Sequence, residues 1–125
     1  MGEKLTDLSE GQREALLDLV MLAMYADGHL TSVEDARVER LLSSMGYTEV
    51  YDQQRQFDNS VTRVRQYSES PERALAQAAT LAKTFVSREH RRLIYALLEE
   101  LISSDAHITA VESKFLETVR AMFRL

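Results

Sequence analysis

"YADGHLTSVE", residues 25–34, interrupts an apolar helical stretch at Asp27-Gly28 and restarts it at Thr31. "SSDAHITAVE", residues 103–112, does so again. At a constant offset of 78 residues Asp27 matches Asp105, His29 matches His107, Thr31 matches Thr109, Val33 matches Val111, Glu34 matches Glu112 and Glu39 matches Glu117. Each copy lies between segments whose apolar residues recur at helical spacing. The chain therefore reads as one helical hairpin written twice, over about 9–46 and 88–124, around a helical insert at 47–87. The expected fold is all-α: a compact bundle of six to seven helices in a single domain, 1–125.

Working outward, "SEGQ" (9–12) is a capping box that starts a first helix running to about Ala26. Leu16, Leu17, Leu19, Val20, Met21, Leu22 and Met24 cover most of its circumference, the pattern of a central buried helix. A second helix follows Thr31, with Val33, Val38, Leu41, Leu42 and Met45 inward and Gly46 as its left-handed stop. Val50, Phe57, Val61 and Val64 share one face of a third, with a break expected at "DNS" (58–60). Ser70 and Pro71 open a fourth, whose face is Leu75, Ala78, Ala79, Ala82 and Phe85. A fifth spans about 88–103 and a sixth about 110–123.

The chain has 125 residues, no cysteine and a net charge of −5. The missing cysteines exclude disulfides, thiolate zinc sites, iron–sulfur clusters and cysteine nucleophiles. Residues 1–46 hold four basic and nine acidic residues, so the first copy of the repeat is strongly acidic. Without a long basic stripe no nucleic-acid partner is expected, because phosphate contacts need clustered Lys and Arg. No secretory leader and no membrane span are expected: the longest apolar run, "ALLDLVMLAMYA" (15–26), is short and carries Asp18. Gly2 and Thr6 fit the loose myristoylation pattern, which is common by chance.

Two chemistries fit the repeated stretch. In the first, Thr31/Glu34 and Thr109/Glu112 are T-x-x-E capping boxes, each worth about 1 kcal/mol. That accounts for Thr and Glu, but not for an Asp seven residues before each Glu. In the second, "DGHLTSVE" matches the back half of a calcium-binding EF-hand loop. The front half is absent, since Ala23 and Tyr25 stand where earlier ligands belong, with Leu101 and Ser103 in the second copy. Asp27, Glu34, Asp105 and Glu112 are then the candidate metal ligands, with Asp18 as a supplementary carboxylate. Oxygen ligands of this kind suit a divalent calcium, magnesium or manganese ion. His29 and His107 are weaker candidates, and His90 in "SREHRR" reads as a surface residue. "REHRR" (88–92) reads as a solvated face or a docking patch for an acidic partner. No H-E-x-x-H, P-loop or G-x-S-x-G appears, and the chain is expected not to be an enzyme.

"MLAMYADGHLTSVEDARVERLL" (21–42) resembles the signature of the TerB-like tellurite-resistance proteins: an apolar helix, Ala-Asp-Gly, an aliphatic residue, Ser/Thr, then Glu on the next helix. "LEELISSDAHITAVESKFLETV" (98–119) resembles that family's second copy, departing from it at Ala106. The resemblance implies a bacterial cytoplasmic protein of stress or tellurite response, with the motif acids gathered at a divalent-metal site. A related domain belongs to membrane-anchored DnaJ-like co-chaperones, which implies protein–protein roles. Two functions are expected on these grounds. One is a metal-binding domain built on Asp27, Glu34, Asp105 and Glu112. The other is an interaction module, binding a protein partner or a second copy of itself, in which those residues only cap helices.

Overall fold

Capping chemistry sets several of the helix boundaries among the described residues. In a computed structural model of the chain, which describes residues 8–26, 32–67, 70–103 and 110–125, α1 spans Glu10–Ala26. At its start the Gln12 N–H donates to Ser9 Oγ at 3.2 Å, and the Ser9 N–H donates to Gln12 Oε1 at 3.0 Å. This is the expected capping box. Then follow α2 (Ser32–Ser44), α3 (Val50–Val64), a 3-10 turn (Arg65–Tyr67), α4 (Pro71–Ala82), α5 (Arg88–Ser103) and α6 (Ala110–Phe123). The described residues form a six-helix, all-α bundle without strands.

Gly46 stops α2 at φ 103°. The Gly46 N–H donates to Ser43 O at 3.1 Å and the Tyr47 N–H to Leu42 O at 3.0 Å, the bond pair of a Schellman motif. Gly46→Ala is expected to cost about 1–2 kcal/mol, because a Cβ strains a backbone at positive φ. Equilibrium urea unfolding would read that loss as a lower midpoint at unchanged slope.

α1 is the central helix, packed against α3, α4, α5 and α6. Every residue from Ala15 to Ala23 is buried, Asp18 included. On α4, Ala74, Ala78 and Ala82 are fully or almost fully buried, and α4 packs chiefly on α1 and α6. Methyl-sized side chains let those backbones approach closely. The Ser70 hydroxyl caps α4 by accepting from the Arg73 N–H at 3.2 Å. Phe85, just beyond α4, is fully buried and meets Phe123 edge-on, with ring centroids 6.1 Å apart.

Three expectations are corrected. α3 runs unbroken through 58–60, because Ser60 is a buried interface residue rather than a helix breaker. Val50 is 80% exposed although it shares a stripe with Phe57, Val61 and Val64. It occupies the first turn of α3, and only the later part of that stripe meets the core. His90 is half-buried rather than on the surface, and its N–H donates to Ser87 Oγ at 3.3 Å, so that Ser87 caps α5. The expected equivalence of the two hairpins turns on corners at 27–31 and 104–109, which lie outside the described residues.

Candidate functional site

Two features of the bundle bear on function: a buried polar cluster and an open groove. The cluster begins with Asp18, the only charge in the apolar run 15–26. Burying a lone carboxylate is costly, so a helix that carries one inward needs a partner. α3 supplies two. Arg63 donates to both carboxylate oxygens, Nε to Oδ2 at 2.8 Å and Nη2 to Oδ1 at 2.9 Å. The Ser60 hydroxyl donates to Oδ1 at 2.6 Å. The Asp18 side chain is 7% exposed and that of Arg63 36%.

Bidentate, charge-assisted bonding of this kind fixes geometry as well as charge. The Asp18 hydrogen bond raises the Arg63 pKa above its usual value, against the opposing effect of burial. A cation whose pKa rises on folding contributes stability at every pH below its ordinary range, and loses it only in strong alkali. Both Asp18 oxygens are taken up by this clamp. Asp18 is therefore a tie between α1 and α3 and not the supplementary metal ligand that the sequence suggested.

The groove lies between α2 and α3. The Gln53 side-chain amide sets their approach, donating to Tyr47 O at 2.7 Å and Ser43 Oγ at 2.9 Å. Beside this link opens a cavity of about 240 Å³. Its lining runs from buried Val38 and Leu42 through half-buried Phe57 to exposed Val50, with Glu39 on the α2 side. Tyr51, next to Val50, is 74% exposed. Gln54 also lines the groove and donates to Asp58 Oδ1 at 3.0 Å, which holds a second carboxylate beside it. Glu39 and Asp58 are both exposed. No Lys or Arg lines the groove among the described residues.

Of the expected metal ligands, Glu112 is described. It sits in the first turn of α6 at 9% exposure. Glu34 falls in the first turn of α2, but its side chain lies outside the described residues, as do Asp27, Asp105, His29 and His107 altogether. Among the described residues no group of three or more His, Asp or Glu side chains is placed to hold a metal ion.

The "REHRR" segment divides in role. Arg91 Nε donates to Phe85 O at 2.6 Å, and its guanidinium lies 5.9 Å from the Phe123 ring centroid. Arg88, Glu89 and Arg92 are exposed. No described helix is long and apolar enough to cross a membrane.

Sequence reasoning missed Ser60, Arg63 and the groove. The signal for the clamp was present in Asp18 itself, whose position in the apolar run 15–26 demands a cation from elsewhere. Nothing local identified which cation. No protein-family model matches the chain, and neither a curated protein nor a solved structure matches it significantly.

Proposed function

We propose that this chain is a non-enzymatic, TerB-like interaction domain that binds a protein partner in the groove between α2 and α3. One observation carries the reading: a partly apolar groove of about 240 Å³ opens beside two large apolar side chains, Val50 and Tyr51, that are 80% and 74% exposed. Scattered single apolar residues on a surface need no explanation, but adjacent ones at the mouth of a groove mark a binding site. The clamp on Asp18 supports the reading too, since it fixes α3, one wall of the groove, to the central helix. The resemblance to TerB-like proteins and to a co-chaperone domain fits partner binding in a stress response. The alternative, a divalent cation held by Asp27, Glu34, Asp105 and Glu112, has one described support, the burial of Glu112. A helix-capping role explains that burial equally well.

Replacing Tyr51 with a photo-cross-linking phenylalanine analogue tests the proposal in the host cell. Tyr51 is exposed, so the fold tolerates the change. A discrete adduct is expected from position 51. Position 76, on the exposed side of α4, should give none. Identical adduct patterns from both positions would rule the groove out as the binding surface.

A further inference from the structure

Among the described residues three large apolar side chains are exposed: Val50, Tyr51 and Val86. Val50 lines the groove, and Tyr51 follows it on α3. Val86, 79% exposed, lies in the turn between α4 and α5, with exposed Lys83 and Arg88 on either side. This turn is held firmly. Phe85 anchors it in the core, Arg91 Nε bonds the Phe85 carbonyl, and the Phe85 N–H donates to Ala82 O at 3.2 Å. Val86 is thus an apolar knob between two cations on a fixed turn. The groove is its complement, a partly apolar slot beside the carboxylates of Glu39 and Asp58. Exposed Glu49, next to Val50, adds a third negative charge. Arg55, the one cation in 49–58, is exposed one turn beyond Tyr51 and does not line the groove.

Knob and groove also sit at one end of the molecule. On neighbouring residues of α1, Gln12 Nε2 donates to Thr84 O at 3.5 Å and Arg13 Nη1 to Met45 O at 3.4 Å. The α4–α5 turn and the α2–α3 turn therefore flank the first turn of α1. Surfaces so placed can be engaged reciprocally by a two-fold related copy, the knob of each subunit entering the groove of the other.

We infer that the partner in the α2–α3 groove is a second copy of this chain, in a reciprocal dimer that seats Val86 between Val50 and Phe57 and pairs Arg88 and Lys83 with Glu39 and Asp58. The inference rests on the interaction-domain reading above and names its partner. Small contacts rich in exposed charge make weak interfaces, so the dimer forms with rising concentration and loosens with salt.

Sedimentation of the purified chain up to about 1 mM tests it. The wild type is expected to pass from monomer to dimer and stop there. Glu39→Arg and Arg88→Glu should each weaken association at least tenfold by setting like charges opposite one another. Mixed in equal amounts, the two variants should form a heterodimer about as tight as the wild type, because both contacts are again complementary. Val86→Asp should stay monomeric while keeping the helical circular dichroism and melting temperature of the wild type, which separates loss of contact from loss of fold. A wild type that stays monomeric throughout, assembly beyond the dimer, or a mixture no tighter than its components would each overturn the inference. A monomeric wild type whose position-51 cross-linker still captures a different protein would overturn the dimer and leave the interaction-domain reading standing.

Discussion

Arg63→Ala is expected to destabilise the protein by about 3–5 kcal/mol, the cost of leaving a buried carboxylate without its cation. For a domain of this size that lowers the melting temperature by roughly 10–20 °C. The effect is asymmetric. Asp18, at 7% side-chain exposure, is almost cut off from water, whereas Arg63 at 36% can turn outward when its partner is lost. Asp18→Asn is therefore expected to cost less, about 1–3 kcal/mol, mostly through weakened bonds to Arg63 and to the buried Ser60 hydroxyl. Urea unfolding of both variants measures the two losses. A defect under about 1 kcal/mol for Arg63→Ala would reduce the clamp to a surface ion pair. Replacing Asp18, Ser60 and Arg63 together by apolar residues of similar size is expected to cost far less than Arg63→Ala alone, since no buried polar group is then stranded.

Phe85→Ala should be comparably damaging, at about 3–5 kcal/mol. Phe85 is fully buried although it lies outside any helix, and its ring meets Phe123 at the end of α6. Truncation leaves a cavity where α4, α5 and α6 converge and frees the turn that presents Val86. Two readouts should then move together, thermal stability and self-association. Phe85→Leu, which keeps most of the volume, is expected to lose about 1–2 kcal/mol and to keep the dimer. If Phe85→Ala melted like the wild type, the turn would owe its shape to its hydrogen bonds from Gln12 and Arg91 and not to the buried ring.

What could be read in the sequence was what is locally encoded. Ser9 with Gln12, Ser70 with Pro71, and Gly46 mark helix ends through bonds to residues three to five positions away, and each mark proved accurate. The third helix was harder. "DNS" looked like a break in the helix, yet the Ser60 hydroxyl is buried against Asp18, 42 residues away. Val50 belongs to the same periodic face as Phe57 but lies beyond the reach of the core. Periodicity assigns a side to a helix, not the length over which a neighbour covers it. The groove was illegible for the same reason, since it exists only through the spacing of α2 and α3. The repeated acids were conspicuous as a pattern, and of the four expected ligands Glu112 alone has a described side chain, buried at the head of α6.

Asp18 has a consequence during synthesis as well. The ribosome completes "ALLDLVMLAMYA" well before it reaches Ser60 and Arg63. At about 5–20 residues per second the delay is roughly 2–7 s. Throughout that interval a nascent segment with eleven uncharged residues and one acid must avoid both aggregation and insertion into a membrane. A carboxylate at the centre of an apolar segment opposes insertion by about 2.5–3.5 kcal/mol and acts as a gatekeeper against self-association. The charge that is a liability in the finished core thus keeps the unfinished chain in water until α3 emerges with the arginine that neutralises it.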